Sequence, residues 1–365
     1  MRLQKHLGGL GAAAHLYANA SNGFRDFLAW LVARSGQERP SVVMPSFMPA
    51  KLLRAALASG CDVRFYEVYA RCRWDLADVE AQIGRDTVAI FHVHYFGLPG
   101  PIEGMRDLAT RRRVALIEDC ALTVGAMHRG RPLGSFGDVA LFSMRKMFCS
   151  AEGGALVVGP RHADFEPSRE RRVSSCYSAP RYVLQRAKHA YMRVTGGADP
   201  LHLLKRGPLG YMDGRPRQVL SVKMLSRFTQ ARLPFMDVDA VADRRRENFR
   251  YLLERFPATL SVEPMVRSLP EGCTPYSFPL LVRNGARDAL RAALVRDGVL
   301  AGACWPEAPF DARHARTAAL AGAALELPIH QAISRAQLDR SLRSVERESP
   351  RLPVVAVSPP LAPLH

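Results

Sequence analysis

The sequence predicts an α/β fold in which a mostly parallel sheet is covered by helices, with a smaller α+β domain towards the C-terminus. Short apolar runs alternate with helical patterns between residues 41 and 158, which is the order that produces a parallel sheet. Several runs, such as residues 139–143, are apolar almost throughout, as expected of strands buried on both faces. The chain has 365 residues, of which 48% are hydrophobic, and is long enough for a large and a small domain.

The spacing of apolar residues predicts the elements of a large domain over residues 1–235. Helical spacing predicts a helix over residues 23–33, with Ser21 and Asn22 before it as a capping pair. Helices are also expected at residues 50–59, 75–83 and 101–113, and strands at 41–45, 62–68, 87–95, 114–117, 139–143 and 155–158.

A small domain is predicted over residues 236–347. A long helical region at residues 220–256 is expected to lead into it. A strand, a helix, a second strand and a last helix are then expected at residues 276–282, 286–297, 300–305 and 334–345. Residues 348–365 are rich in proline and have no period, so we expect a flexible tail.

The composition indicates the cellular compartment and the class of partner. The seven cysteines are dispersed without a CxxC pair, which indicates a reducing cytoplasm and argues against a metal site. No run approaches about 18 apolar residues, so no transmembrane helix is expected, and we interpret the first residues as mature protein. The net charge of +17 favours an anionic partner: a nucleotide diphosphate, a phosphorylated ligand, nucleic acid or an acidic membrane. A genome that prefers arginine explains the charge equally well.

One acid and one lysine stand out because each comes at the end of an apolar run. Asp119 ends the run that starts at residue 114, and Lys146 follows the run at residues 139–143. Because parallel strands end at the same edge of a sheet, we expect a shared pocket. A lysine amine forms a Schiff base with pyridoxal phosphate (PLP), and a carboxylate keeps the pyridinium nitrogen of PLP protonated. From spacing alone, an exposed loop lysine and a helix-capping acid are equally good interpretations.

Other candidates surround this pair. The hydroxyl of Ser143 and the backbone N–H groups of Asn22 and Gly23 could hold the phosphate of such a cofactor. His94 could contact the ring, in competition with His92 on the same side of the strand and with a purely structural role. A basic amphipathic helix predicted over residues 181–194 could contact a membrane surface, although we favour a helix packed on its own domain.

Several segments resemble the sugar aminotransferases named after their DegT, DnrJ, EryC and StrS members. The more specific block consists of IEDCA at residues 117–121, GSFGDVALFS at 134–143, Lys146, and EGGALVV at 152–158. Weaker matches are VVMPSF at 42–47, HVHYFGLP at 92–99, RRENFRYL at 245–252, the turn at 304–306 and LPIH at 327–330. Together they extend over most of residues 15–345.

The resemblance implies a fold, a cofactor and roles for this pair. Members of the family share PLP fold type I, the aspartate aminotransferase fold, with a mostly parallel seven-stranded-type sheet. Asp119 would bind the pyridine nitrogen of PLP. Lys146 would carry the cofactor and move the proton between the amino donor and the cofactor. The resemblance also implies a homodimer whose active sites borrow residues from the partner subunit.

The remaining cofactor contacts are implied by the same resemblance. Members of the family hold PLP with a phosphate loop, a strand end and loops over the ring. The resemblance implies that the corresponding cofactor-binding residues here are Asn22, Gly23, Phe24, Ser143, His94 and Phe47.

Departures from the family pattern are visible at several positions. Leu122 stands where members usually carry Gln or His near the phenolic oxygen of PLP. The usual Ser-Gly-Thr phosphate loop is replaced by residues 22–24 (Asn-Gly-Phe), which removes two hydroxyls. The loop with Asn-x-Arg that reaches across the dimer has no clear counterpart at residues 209–221.

We therefore expect a cytoplasmic PLP-dependent transaminase that converts a nucleotide-linked keto sugar into an amino sugar, with glutamate as donor. No nucleic acid partner and no metal are expected. One alternative is another PLP reaction on a sugar, such as dehydration, which Lys146 disfavours because the family's dehydratases carry His in its place. The other is a degenerate member that only binds or regulates, which the changes at Leu122 and Phe24 motivate.

Overall fold

A computed structural model describes residues 1–11, 13–168, 222–305, 308 and 313–352, with 172–173, 179–180, 182–184, 186–187 and 190. Its α-helices within these residues are α1 (Leu3–Gly8), α2 (Ala20–Ser35), α3 (Ala50–Leu57), α4 (Leu76–Ala81), α5 (Ile102–Arg112), α6 (Met144–Met147), α7 (Arg227–Gln230), α8 (Val238–Glu254), α9 (Arg287–Arg296), α10 (Ala315–Ala323) and α11 (Arg335–Glu348). Its strands are β1 (Ala13–Tyr17), β2 (Ser41–Pro45), β3 (Asp62–Tyr66), β4 (Thr87–Val93), β5 (Ala115–Cys120), β6 (Met127–His128), β7 (Arg131–Pro132), β8 (Val139–Ser143), β9 (Gly154–Val158), β10 (Arg172–Val173), β11 (Lys223–Met224), β12 (Val262–Pro264), β13 (Ser277–Val282), β14 (Gly302–Ala303) and β15 (Ala324–Pro328).

A nine-stranded sheet forms the centre of the fold, in the order β10-β11-β1-β9-β8-β5-β4-β2-β3. From β8 to β3 each strand pairs in parallel with the next, whereas β9 is antiparallel to both β8 and β1. β1 therefore points the same way as the parallel group. The predicted α/β class is confirmed: seven longer strands contain one reversed strand, and the short β10 and β11 extend one edge.

The register of the parallel strands places the candidate site. β2, β5, β8 and β9 are buried at every position, as their apolar sequences predict for strands covered on both faces. Asp119 of β5 pairs with Val93 of β4 on one side and with Leu141 of β8 on the other. The end of β5 therefore lies between two strand ends, where open α/β sheets bind their ligands.

A second sheet has four antiparallel strands in the order β12-β13-β15-β14. Two apolar cores accompany the two sheets, and α8 contributes to both. Val238 and Val241 near its start pack in the core of the large sheet, whereas Phe249 and Leu252 pack in the core of the small one. A division of the chain near residue 235 into a large and a small domain remains our proposal, and these cores support it.

Several predicted elements differ from the structure in their bounds, two helices most clearly. α2 begins at Ala20 rather than at residue 23, because the side chain of Asn19 caps the helix by accepting the N–H of Asn22. The long helix predicted over residues 220–256 is interrupted. Pro234 lies in a 3₁₀ turn at Leu233–Phe235, and α8 begins only at Val238. β1 was not predicted because its five residues are only partly apolar and partly buried.

Three predicted segments lie largely or wholly outside the described residues: the basic helix at 181–194, the loop at 209–221 and the tail at 348–365. In the part of the chain that the structure describes, no helix combines the length and the apolar character that crossing a bilayer requires.

Candidate active site

A cavity opens at the carboxyl end of the parallel strands, beside Asp119. It is bordered by the ends of β5 and β8, by the first residues of α2 and α3, by α6 and by the residues before and after them. Its described lining includes Asn19, Ala20, Ser21, Lys51, Asp119, Leu122, Ser143, Arg145, Lys146 and Trp305. The structure therefore brings together the acid, the lysine and the serine that the sequence singled out.

Asp119 is the acid at the base of this cavity. Its side chain is 8% exposed, and Oδ1 accepts the backbone N–H of Ala121 at 2.9 Å. Burial raises the pKa of the Asp119 carboxyl, while the positive charges of Lys146 and Lys51 and the Ala121 N–H oppose that shift. A buried carboxylate facing two amines is the arrangement that stabilises a protonated ring nitrogen.

Lys146 lies in α6, the short helix that directly follows β8, rather than in an exposed loop. Burial lowers the pKa of its amine, Asp119 and Glu326 of β15 oppose this, and Arg145 adds to it. A lysine whose pKa is lowered has a larger neutral fraction, and the neutral amine is the form that attacks an aldehyde or accepts a proton.

The backbone of α6 is fixed by two side chains from distant parts of the chain. Arg245 of α8 is 2% exposed, and its guanidinium donates to the carbonyl of Lys146 at 3.2 Å and to that of Tyr276 at 2.6 Å. Gln331 donates its Nε2 to the carbonyl of Met147 at 3.1 Å. These bonds hold the helix that carries Lys146, and neither could be predicted from local sequence.

The start of α2 presents donors to the cavity. Ser21 is 4% exposed, and its hydroxyl has no hydrogen-bond partner among the described residues. An unpartnered buried hydroxyl at the N-terminus of a 16-residue helix is a suitable place for an anion. Ser143, 9% exposed at the end of β8, lines the same cavity.

The three residues that were assigned to the phosphate loop lie one step further along the helix and do not line the cavity. Asn22 donates its side-chain amide to the carbonyl of Lys223 at 3.2 Å. Gly23 packs against Tyr17, and Phe24 is fully buried with its ring 4.9 Å from that of Phe91. The residues of this segment that line the cavity are 19–21, and its role in holding a phosphate stays a prediction.

Gly154 of β9 allows the start of α2 to approach the sheet. A methyl group at this position would collide with the backbone of Asn19 and Ala20. We expect Gly154→Ala to displace these residues, to cost about 1–3 kcal/mol of unfolding free energy and to weaken PLP binding. Gly322→Ala is the control, because a methyl group there has open space around it in helix α10. Denaturant unfolding and PLP titration check both variants, and equal behaviour of the two would contradict this account.

His94 does not line the cavity, which argues against the predicted ring contact. Because Val93 pairs with Asp119, His94 points to the other face of the sheet, with His92 and Glu118. Its Nε2 lies 2.9 Å from Glu118 Oε1, and both side chains are fully buried. Cys120 also contacts Glu118 Oε1, with its Sγ at 3.6 Å, so these side chains bond one another.

Glu118 fastens the loop before β8. It accepts the N–H groups of Gly134, Phe136 and Gly137 at 2.6–3.0 Å. Burial alone would raise the pKa of the Glu118 carboxyl, but the bonds from His94 and the loop amides outweigh burial, and the pKa is lowered.

Glu118→Gln is expected to lower the unfolding free energy at pH 7 by about 3 kcal/mol, since a charged acceptor of several buried donors is lost. Because the folded pKa lies below the ordinary value of 4.5, the stabilisation is present above that pH and is lost as pH falls through the folded pKa. Denaturant unfolding at pH 7 and at low pH checks this. A stability difference that stays constant with pH would contradict it.

Phe47 is also absent from the cavity lining. It is fully buried, with its ring 5.8 Å from that of Tyr95 and 5.0 Å from that of Trp305. Trp305, which precedes residues outside the described part, does line the cavity. The aromatic side chain at the cavity wall therefore comes from the region after β14 rather than from the loop after β2.

Lys51 is a cavity residue that the sequence reasoning missed. It lies in the first turn of α3, which follows β2, and it is partly buried. The sequence does contain a signal for Lys51. This residue follows the last residue of the buried strand β2 by six positions, at the edge of the sheet where the other parallel strands end. Helical spacing alone gave no reason to separate it from surface lysines.

The donor set of the cavity fits PLP. The amine of Lys146 suits the aldehyde of PLP, and the buried acid Asp119 suits its ring nitrogen. The N-terminus of α2 with the unpartnered Ser21 hydroxyl, and a second serine, Ser143, suit its phosphate. Leu122, 7% exposed, borders the same space and brings an apolar side chain to it, as the sequence indicated.

The sheet order and the lysine–acid cavity define the class of protein: an α/β protein with the fold of the sugar aminotransferases. The crystal structure of the sugar aminotransferase CalS13 from Micromonospora echinospora superposes with a TM-score of 0.66 at 20% identity, over 92% of this chain and 87% of that chain.

Sequence comparison adds a similarity to a family. The sequence model of the DegT/DnrJ/EryC1/StrS aminotransferase family matches residues 11–163, which include Lys51, Asp119 and Lys146. This region of the chain is similar to that aminotransferase family, as the sequence motifs predicted.

Two relatives show the range of named activities. A UDP-N-acetyl-3-dehydro-alpha-D-glucosamine 3-aminotransferase from Acidithiobacillus ferrooxidans is 27% identical over 308 residues, which are 83% of this chain and 73% of that protein. An L-glutamine:scyllo-inosose aminotransferase from Streptomyces griseus is 44% identical over 85 residues, which are 23% of this chain and 20% of that protein.

Proposed function

We propose that this protein is a PLP-dependent aminotransferase that converts the ketone of a nucleotide-linked sugar into an amine, with glutamate as the amino donor. The observation that carries the proposal is the joint placement of Asp119 and Lys146 in one cavity at the strand ends. The match of residues 11–163 to the aminotransferase family supports the transamination, and the names of relatives support a sugar or a related ring as acceptor.

The chain's own residues supply the acid–base chemistry. When bound, PLP acts as an electron sink that makes the α-proton of the amino donor acidic. Lys146 would hold the cofactor through its Nζ. This Nζ, whose pKa burial lowers, would also be the group that accepts and returns a proton at the donor's Cα. Asp119 would keep the ring nitrogen protonated throughout.

The walls of the cavity orient the ring and exclude water. Trp305 and Leu122 supply apolar surface, and Ser21 and Ser143 supply hydroxyls. Leu122 cannot donate a hydrogen bond to the phenolic oxygen of the cofactor, so the ring is expected to depend more on Asp119 and on the phosphate for its orientation. This is the feature of the site that departs most clearly from the family pattern.

Half-reactions test the donor and the acceptor separately. Purified protein loaded with PLP is mixed with glutamate, and loss of the visible absorbance of lysine-bound cofactor reports amino transfer. Glutamine is the parallel donor, because the name of the Streptomyces griseus relative includes it. The converted enzyme is then offered UDP- and GDP-linked keto sugars and a free keto cyclitol, and recovery of absorbance identifies the acceptor.

Each outcome of these half-reactions decides a different part of the proposal. Recovery of absorbance with a nucleotide-linked keto sugar supports the proposed acceptor. Recovery with the cyclitol alone would show that the acceptor is a free ring ketone and not a sugar nucleotide. Absorbance that neither donor bleaches would overturn transamination and favour a binding or regulatory member of the family.

We also propose a homodimer, as the family resemblance implies, and a cytoplasmic location, as the dispersed cysteines indicate. Phe235 is 76% exposed beside the start of α8, and an apolar side chain of this kind is common at subunit interfaces. Five buried cysteines of the described residues, Cys61, Cys72, Cys120, Cys273 and Cys304, are free thiols, which supports a reducing compartment. Light scattering on the purified protein measures the oligomeric state, and a mass equal to one chain of 40.4 kDa would contradict the dimer.

A further inference from the structure

Lys51 shares the cavity with Lys146, and the chemistry above does not use it. It lies in the first turn of α3, and α3 packs against α2. The two helices begin at the edge of the sheet where Asp119 lies, because each follows a strand that runs in the same direction. Lys51 and the first residues of α2 therefore border one space.

The charges that line this space do not balance. Its described lining holds one acid, Asp119, and three cations, Lys51, Arg145 and Lys146. Asp119 can neutralise one of them, which leaves a surplus of two positive charges in the described lining. A surplus of positive charge in a partly buried cavity favours a bound anion.

The start of α2 offers donors for such an anion. α2 has 16 residues, and its N-terminus faces the cavity through residues 19–21. The Ser21 hydroxyl there is buried and has no partner among the described residues, so a donor is available. The N–H of Asn22 is already bonded to the Asn19 side chain, which leaves the preceding N–H groups for a ligand.

We propose that Lys51 binds the phosphate of the cofactor, together with the Ser21 hydroxyl and the N-terminus of α2. This inference rests on the proposed PLP-dependent function. Arg145 is the less suitable cation, because it is exposed and lies beside Lys146 on α6. Lys51 is partly buried, and its helix contacts the helix that offers the N–H groups.

Protonation of Lys51 is linked to this binding. Burial lowers the pKa of the Lys51 amine to about 7, the charges of Lys146 and Arg145 on α6 add to the shift, and Asp119 on β5 opposes it. A phosphate dianion beside the amine raises that pKa again. Above pH 7, binding therefore requires uptake of a proton, and the phosphate-dependent part of the affinity falls as pH rises.

The test compares PLP with pyridoxal, which lacks the phosphate, on wild-type protein and on Lys51→Met, Lys51→Arg and Arg54→Met. Arg54 lies on the same helix but is exposed and is absent from the cavity lining, so Arg54→Met is the matched control. We expect Lys51→Met to weaken PLP binding roughly 10- to 100-fold and to leave pyridoxal binding within about twofold. Lys51→Arg should recover most of the PLP affinity, and Arg54→Met should not change it.

The ratio of the PLP to the pyridoxal affinity, measured from pH 6.5 to pH 9, gives the second readout. For wild-type protein the ratio should fall above about pH 7, and for Lys51→Met it should be flat. Equal losses for both ligands, no loss of PLP affinity, or a ratio that does not change with pH in wild-type protein would overturn the role of Lys51.

Failure of this inference and failure of the proposed function are distinguishable. If wild-type protein forms no lysine-bound cofactor at all, the proposed function fails and Lys51 with it. If wild-type protein and Lys51→Met bind PLP on Lys146 with equal affinity, the proposed function stands and only the role of Lys51 is lost. Borohydride fixation of the cofactor on Lys51 instead of Lys146 would overturn both assignments.

Discussion

Lys146→Ala is expected to abolish covalent attachment of PLP and to lower the rate of amino transfer by at least about 10²–10⁴-fold, which is the size of a lost general acid–base group. The visible absorbance of lysine-bound cofactor should be absent at every pH. The cause is chemical, because alanine supplies neither the nucleophile nor the base at this position of α6. Absorbance spectra and single-turnover kinetics with glutamate measure the two effects.

The controls separate chemistry from folding. Lys5→Ala removes an exposed lysine from α1 and should leave both the absorbance and the rate unchanged. Lys146→Arg keeps the positive charge near Asp119 but offers no amine that can be deprotonated, so it should be as inactive as the alanine variant. Full activity of Lys146→Arg would contradict the role of the amine.

Asp119→Asn is expected to lower the rate of the half-reaction by about 10²–10³-fold, because an amide cannot keep the ring nitrogen protonated. The side chain keeps its shape, so the cavity should stay intact. The negative charge of Asp119 opposes the lowered pKa values of Lys146 and Lys51, and its loss should lower both further. The pH profile of the half-reaction should therefore move towards lower pH.

The measurement is a pH–rate profile of donor turnover for Asp119→Asn beside the exposed-site control Asp107→Asn. The thermal midpoint of the same samples shows whether a lost rate reflects a lost fold. An unchanged rate in Asp119→Asn, or a profile that moves to higher pH, would show that Asp119 does not act on the ring.

The sheet and the acid–lysine pair could be predicted because they depend on short apolar runs. Residues 139–143 and 41–45 are read directly as buried strands, and both strands have these bounds in the structure. Since parallel strands end at one edge, Asp119 and Lys146 had to lie near each other once the order of strands and helices was recognised. The position of Leu122 beside the cavity could be predicted as well, because it comes three residues after Asp119.

Side-chain direction was the harder part. His94 comes at a strand end, but the register that pairs Val93 with Asp119 turns the His94 ring to the other face, where it bonds Glu118. Register depends on how two strands pair, and periodicity within one strand does not contain it. The shift from residues 22–24 to residues 19–21 has a similar origin, because the cap at Asn19 sets where α2 begins.

The supporting contacts could not be predicted from local sequence. Arg245 reaches the carbonyl of Lys146 from 99 residues away, and Glu326 acts on the Lys146 amine from the second sheet. Lys51 resembles any surface lysine on a short amphipathic helix until the positions of α2 and β5 are known. Such residues acquire their roles from tertiary structure, so the sequence indicated the reactive centre better than its surroundings.

The most direct test of the account is borohydride reduction of the protein with PLP, followed by peptide mass spectrometry. We predict that the reduced cofactor is found on Lys146, in the peptide that follows β8, and on no other lysine. Cofactor fixed on Lys51 or on surface lysines, or no fixation while PLP is present in excess, would contradict the central claim.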